Sequence, residues 1–397
     1  MITVETASKI VARETQVLKP ERVPIEDAVG RALAEDIIAD TDMPPFDRSQ
    51  MDGYAVKAAD TEYAPVALKL VGESAAGRGW HNTLQAGEAI RIMTGAPLPS
   101  GADAVQKIEL TSEDGNAVTI REPTSPGRYI VHQGKEIKKG KAVLKGGTII
   151  MPNNIAVPAA FGYAKLNVAK RPRVAILSTG TEIVDIAKRP KRDQIRNSNS
   201  IMLKALCEQA GAEATILPHV GDDISDLRSQ ISNAARNADV LITTGGVSVG
   251  KYDLTKLALR ELGAEIFFER LRLKPGKPTV FAKLKKTLIF GLPGNPVSAA
   301  VTYYLFVRSA LMRMQNAREP DLKRGTAIVS KLAEAPKERD AYLPASLSTD
   351  ADGSLIAEPL DWHGSSDFIG FARTDALLVV KRGTASEPGS PVQLLFL

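Results

Sequence analysis

Hydrophobic and polar positions change rhythm several times along the chain. Residues 5–18 place apolar side chains at helical spacing, Ile10, Val11, Val17 and Leu18 among them, and read as a helix. From Val56 to about residue 137 the pattern shortens to β runs separated by turns: VALKLVG, EAIRIMTG, DAVQKIEL and NAVTIRE. A small β domain is expected there. GKAVLKGGTII and AKLNVA read as a return to the first domain, which makes the β domain an insertion. The expected division is 1–45 with 138–170, then 46–137, 171–320 and 321–397.

Residues 171–320 alternate buried-type strands with amphipathic helices. VAILSTG, ATILPHV and DVLITTGG are β-rich and bounded by turns. Between them SIMLKALCEQAG sets Ile201, Ala205 and Leu206 on one expected face. DDISDLRSQISNAARNA sets Ile224, Leu227, Ile231 and Ala234 at helical spacing behind Asp223, a capping residue. Such alternation predicts a parallel sheet covered on both faces. PTVFAKL and KTLIFGL read as a hairpin leading to LPGNP, where Asn295 can cap and Pro296 can begin a helix. Beyond residue 320 five short strands, TAIVSKL, AYLPASL, SLIAEPL, ALLVVKR and PVQLLFL, suggest a small barrel or sandwich.

Composition narrows the classes. The chain has 397 residues, and none of its apolar runs reaches the roughly 18 residues of a membrane span. MITVETASKIVARE has no signal-peptide pattern, so a cytoplasmic location is expected. A single cysteine, Cys207, excludes an intramolecular disulfide and a cysteine-cluster zinc site; four histidines make a histidine-rich metal site unfavourable. The formal charge of +5 comes with only 5% aromatic residues, which argues against nucleic acid and suits a small anionic substrate. KRPKR and KLKK read as solvated loop and hairpin tips.

The chemistry gathers at strand ends. TTGGVSVGKYD ends a strand in Gly245, Gly246 and Gly250 before a helix, a pattern that holds phosphate, although it is neither GxxxxGK[ST] nor GxGxxG. STGTE, GDD and LPGNP end other strands, where open α/β sheets bind ligands. Tight turns would use the same residues, so the convergence of the loops carries the reading. The loops bring three acids, Glu182, Asp222 and Asp253. Helix capping would account for each, and is the preferred reading for Asp223. For the other three, carboxylates beside a phosphate become tolerable if Mg²⁺ bridges them, which suits cleavage of a phosphoanhydride. KPGKP is either an ordinary charged turn or a site that aims Lys274 and Lys277 at one tetrahedral oxyanion. PPFDRSQMDGYAV crowds Asp47, Arg48, Ser49, Asp52 and Tyr54 into thirteen residues, and RIMTGAPLP sets the Thr94 hydroxyl beside a glycine turn; both suit a site or an interface.

PPFDRSQMDGYAV, RIMTGAPLP, STGTE, TTGGVSVGKYD, KPGKP, LPGNP and RDAYLPA, in this order, resemble the MoeA family of molybdopterin molybdenumtransferases, which includes domains of gephyrin and of the plant Cnx protein. The resemblance spans nearly the whole chain. It implies an α/β and β multidomain architecture. That is an elongated four-domain homodimer with a doubly wound, MogA-like α/β domain, an inserted small β domain, a C-terminal β-barrel-like domain and a cleft built from both subunits. It implies Mg²⁺-dependent insertion of molybdate into molybdopterin-AMP with release of AMP. Asp52 and Thr94 would then face the cleft, and Glu182, Asp222 and Asp253 would line the pterin site, with Asp222 and Asp253 on the metal. Gly245, Gly246, Ser248, Pro293 and Asn295 would bind substrate, and Lys274, Lys277, Ser298, Arg339, Ser365 and Ser366 would hold molybdate, with His363 nearby. An adenylyltransferase of MogA type and molybdoenzyme-maturation proteins are the implied partners; nucleic acid and membrane are not.

Three stretches depart from the family pattern. Gly180–Thr181–Glu182 stands where GDE is frequent, VHQGKE carries Val131 and Glu136 where arginine and aspartate are usual, and Lys251 replaces a frequent acid. Alternatives to molybdenum transfer are the preceding adenylylation step, a tungstate-preferring paralogue, and a non-catalytic molybdopterin-binding scaffold.

Overall fold

The buried-type runs of residues 171–320 build one sheet, and its level strand ends prepare the site. The computed structural model describes residues 1–246, 254–360 and 364–397. The strand order is Glu213–Ile216, Arg173–Ser178, Val240–Thr244, Thr287–Leu292, Val280–Leu284, Glu265–Phe268. The first four run parallel, and Val280–Leu284 runs antiparallel to both of its neighbours, forming the expected hairpin with Thr287–Leu292. In register, Ser178 lies opposite Thr244 and Thr244 opposite Leu292, so three adjacent strands stop at one level.

Side-chain alternation along these strands feeds two cores. Val174, Ile176, Val240 and Ile242 join the N-terminal helix on one face, while Ala175, Leu177, Leu241 and Ile289 pack with Leu227, Ile231 and Ala258 on the other. The helix Ile224–Asn237 is capped as expected, with Asp223 Oδ1 accepting from Asp226 N–H at 2.9 Å. Its Leu227, Ile231 and Ala234 are buried and Ile224 is half-buried.

Two helical expectations are corrected. Ser198–Gln209 buries Ser200, Leu203 and Cys207; Ile201 and Ala205 are exposed and Leu206 is only half-buried. Both sets recur at helical spacing, and the anchored first turn, described below, selects between them. Burial pushes the Cys207 thiol up to about 12, leaving it inert in the core. The first helix is Val4–Glu14, not 5–18. Thr15 turns to extended backbone and its hydroxyl donates to Val11 O at 2.7 Å, which leaves Val17 58% exposed. Of the KLKK tip, Lys285, at φ +57°, and Lys286 are exposed as expected, whereas Lys283 is half-buried and pairs with Glu14 at 3.2 Å.

The chain forms two compact units, one of residues 1–35, 146–152 and 165–397, the other of 36–145 and 153–164. In the first, Pro20–Pro24 pairs antiparallel with Lys165–Ala169. Its C-terminal strands close on themselves: Asp340–Thr349, Leu355–Pro359, Arg324–Val329, Pro391–Phe396, Ala376–Val380 and back to Asp340–Thr349. The result is a closed β-barrel, one of the two forms expected. The two-residue strand Leu273–Lys274 adds to it in parallel, opposite Asp340 and Ala341. The second unit holds a six-stranded sheet in the order Ala104–Lys107, Gly53–Val56, Glu88–Ile92, Val66–Ser74, Ala117–Ile120, Thr111–Asp114. Among the described residues no helix is long and apolar enough to cross a membrane.

Candidate active site

The level strand ends bring the expected loops together. Thr179 N–H donates to Thr244 O at 3.0 Å and Gly180 N–H to Val220 O at 3.2 Å, while a Cβ on Gly294 would lie 3.7 Å from the Gly245 Cα. Gly245 and Gly246 both have positive φ, and a methyl on Gly246 would stand 2.9 Å from Thr255 Oγ1 and 3.0 Å from Thr179 Oγ1. Those two hydroxyls are buried and have no hydrogen-bond partner among the described residues, a condition that needs a reason in a folded protein.

Of the acids, Asp222 is exposed and outside the helix cap, which belongs to Asp223 alone. Thr181 Oγ1 lies 3.3 Å from Asp222 Oδ2. Glu182 precedes a short strand, Ile183–Val184, rather than a helix, and its carboxylate folds back over Gly180, whose φ of +131° suits glycine. Capping therefore accounts for neither Glu182 nor Asp222. Asp253, Ser248 and Lys251 lie outside the described residues. The strand-end loops are held from below by two asparagines that the sequence reading missed. Asn197 Nδ2 donates to Ser178 Oγ at 2.9 Å, and Asn199 Nδ2 to Gly294 O at 2.6 Å and Thr244 Oγ1 at 3.1 Å. The signal was RNSN ahead of a helical run, which capping rules flag for one asparagine but not for both.

The lysine turn sits on the helix after LPGNP. Gly276, at φ +112°, approaches so closely that a methyl there would be 2.6 Å from Thr302 Cγ2, and Thr279 Oγ1 donates to Gly276 O at 2.7 Å. Ser298, one turn before Thr302 on Pro296–Thr302, is 4% exposed. Lys274 and Lys277 are half-buried, and among the described residues neither forms an ion pair. Arg339 precedes the strand residues that pair with Leu273 and Lys274. Ser365 reaches the same helix, accepting from Val297 N–H through its carbonyl at 3.1 Å. Its hydroxyl is 2.7 Å from Asn295 Nδ2. Asn295 thus occupies the cap position but its side chain does not cap, which corrects the expectation; the amide is committed to Ser365. Pro293 is buried and Ser366 exposed. His363 lies outside the described residues.

In the second unit Asp52 Oδ1 accepts from Thr94 N–H at 2.7 Å and Thr94 Oγ1 at 2.9 Å. The backbone bond, then the hydroxyl, hold the Asp52 carboxyl below its usual range. Asp47 meets His132 Nδ1 at 3.0 Å and Gln133 N–H at 2.7 Å, and Arg48 pairs with Glu136 at 3.0 Å. Burial pushes the Asp47 carboxyl up, but the bonds from Gln133 and His132 outweigh it and the net shift is down. Tyr54 is structural, its buried ring ending in a hydroxyl bonded to Glu113, which also pairs with Arg91.

Comparison with known proteins assigns every one of these segments. The MoeA N-terminal region (domain I and II) matches residues 2–162, a probable molybdopterin binding domain matches 175–313, and the MoeA C-terminal region (domain IV) matches 326–397. A molybdopterin molybdenumtransferase of Bacillus subtilis (strain 168) is 35% identical over 405 residues, covering 100% of this chain and 94% of its own. The chain belongs to the MoeA family. Another MoeA-type relative, molybdopterin molybdenumtransferase 2 of Mycobacterium tuberculosis (strain H37Rv), is 36% identical and covers 90% of each chain. A crystal structure of a molybdopterin biosynthesis MoeA protein from Pyrococcus horikosii superposes with TM-score 0.82 at 32% identity, covering 100% of this chain and 99% of that one. Two departures from the MoeA pattern now have local partners: Thr181 bonds Asp222, and Glu136 pairs with Arg48.

Proposed function

We propose that the chain performs the molybdenum transfer for which its MoeA relatives are named, joining molybdate to adenylylated molybdopterin with release of AMP. The observation that carries this is a pair of half-buried lysines, Lys274 and Lys277, that form no ion pair among the described residues, in a turn packed through Gly276 against the helix that carries Ser298. Two desolvated ammoniums are stabilised by a dianionic oxyanion, and the serines add neutral donors. Arg339 and Ser366 complete this set in our reading. Gly245, Gly246 and Ser248 would follow the phosphate, with Pro293 and Asn295 shaping its border. Asp52, fixed as an anion by Thr94, would serve as the charged group of the second unit.

Among the described residues no group of three metal-ligating side chains forms, but Asp222 and Glu182 offer hard carboxylate oxygens on exposed loop residues, and Mg²⁺ commonly takes one or two carboxylates plus phosphate and water. Asp222 and Asp253 would hold it, and when bound it would supply charge neutralisation at the pyrophosphate. Thr181 orients Asp222, and Glu182 is kept near the same loop by the turn at Gly180. The lysines fix the oxyanion while the glycine loop fixes the phosphate, so the chain's contribution is chiefly alignment.

The same reading takes the chain as four parts, 1–45 with 138–170, 46–137, 171–320 and 321–397, working in the cytoplasm as a homodimer. It receives its substrate from an adenylylating enzyme of MogA type and hands the product to maturation proteins. The test is AMP release from molybdopterin-AMP with and without molybdate and Mg²⁺, for wild type and Lys274→Ala/Lys277→Ala. Molybdate-stimulated release that the double variant loses supports the reading. Tight binding with no AMP release from wild type would leave a carrier instead.

A further inference from the structure

The two halves of the proposed site are joined by three residues. Thr244 and the glycines lie on the phosphate side, the lysines, Ser298 and Ser365 on the oxyanion side, and 293–295 runs between them. Asn199 holds this bridge. Its Nδ2 donates to Gly294 O at 2.6 Å and to Thr244 Oγ1 at 3.1 Å, and Thr244 Oγ1 lies 3.4 Å from Pro293 O. A backbone carbonyl only accepts, so the amide nitrogen must face Gly294 and the orientation of the side chain is fixed. The price is visible on its other atom: Asn199 Oδ1 is buried with no hydrogen-bond partner among the described residues. A buried acceptor left unsatisfied is unfavourable, and it persists where the donor on the same group is committed elsewhere. Beyond Gly294 the next residue, Asn295, donates to Ser365 Oγ at 2.7 Å. A chain of contacts thus runs from the strand end at Thr244 through Asn199 and 294–295 to the serine of the oxyanion set.

We infer that Asn199 is a positioning residue that sets the distance between the phosphate-binding and oxyanion-binding halves of the site; this rests on the function proposed above for the identity of the two ligands. Asn199 touches neither ligand. It fixes the 293–295 bridge, and misplacement of about 1 Å between reacting groups costs on the order of 100-fold in rate. Asn197 supplies the matched comparison. It lies in the same helix turn, caps it through Ser200 N–H at 3.1 Å and ties it to Ser178, but among the described residues it makes no hydrogen bond to the bridge.

The experiment measures molybdate-dependent AMP release, AMP binding, thermal midpoint and amide exchange at Val297 and Ala299 for wild type, Asn199→Asp, Asn199→Ala and Asn197→Ala. Asn199→Asp is isosteric and turns the donor facing Gly294 into an acceptor. The expected result is a kcat at least 30-fold lower in both Asn199 variants, with KM for molybdate and Kd for AMP within threefold of wild type. Exchange at Val297 and Ala299 should rise about tenfold in these two only, because Val297 N–H is held by Ser365 and Ala299 N–H by Asn295. Asn197→Ala should lower the thermal midpoint and keep kcat within threefold. The inference is overturned if the Asn199 variants keep wild-type kcat, or if Asn197→Ala loses kcat equally at equal midpoint, which would make the effect one of general stability. Wild type that releases no AMP would sink the proposed function instead, and amide exchange at 297 and 299 would then decide the positioning claim alone.

Discussion

Lys274 and Lys277 are held at a cost to the folded chain, since each half-buried ammonium has given up water without gaining a carboxylate among the described residues. Replacing either by alanine is expected to raise KM for molybdate about 10- to 100-fold, the value of one charge-assisted hydrogen bond, while binding of AMP is kept. Titration calorimetry with each ligand checks both halves. Asp52 makes a pH prediction. Its folded pKa lies below the unfolded one, so its stabilising contribution is present above the ordinary carboxylate range and is lost as pH falls through the folded value. Thr94→Val keeps the backbone bond and removes the hydroxyl bond, so the carbon-13 titration of the Asp52 carboxyl should move up part of the way. No upward movement would show that the hydroxyl contributes nothing. Thr181 belongs to this scale too: Thr181→Asp sets a second carboxylate beside Asp222 and should tighten binding of Mn²⁺, read by electron spin resonance as a probe for Mg²⁺, by severalfold. The acids and lysines stood out in the sequence because their chemistry is unusual for turns. Asn199 did not, because its role depends on a carbonyl 95 positions away in the chain.

Elements were legible in kind more than in facing. The capped helix Ile224–Asn237 was read correctly because cap and apolar stripe agree. In Ser198–Gln209 they did not decide the matter. Ile201 and Ala205 outrank Ser200 and Cys207 in apparent hydrophobicity, yet Asn197 and Asn199 pin the first turn onto strand ends and rotate the other face inward. The two faces separate cleanly in a stability measurement. Leu203→Ala should cost about 2–5 kcal/mol and Ile201→Ala about 0.5 kcal/mol or less in urea unfolding. Equal costs would restore the face expected from the apolar count. The first helix stopped short for a comparable reason, since Thr15 satisfies Val11 O through its hydroxyl as well as its backbone, and the apolar Val17 beyond it meets solvent.

At the scale of the whole molecule, five short strands read as barrel or sandwich became a closed barrel, because one ten-residue strand, Asp340–Thr349, pairs on both sides. Strand lengths do not reveal such closure; pairing partners do. The family assignment leads to a mass prediction: sedimentation equilibrium at micromolar concentration should give twice the 42.5 kDa chain mass. A fully active monomer would remove the dimer from the proposed function.

The antiparallel contact of Pro20–Pro24 with Lys165–Ala169 has a consequence for how this architecture can change over time. It fastens the outgoing and returning chain side by side, so the ends of the long excursion between them are already closed by the fold. Lengthening a flexible stretch held this way is cheap, about 0.6 kcal/mol for each doubling. Lineages can therefore add or trim surface loops inside the excursion while the strand ends that carry Thr244, Gly294 and the lysine turn keep their spacing. Tolerance to length is concentrated where the chain departs, and intolerance where it comes to rest.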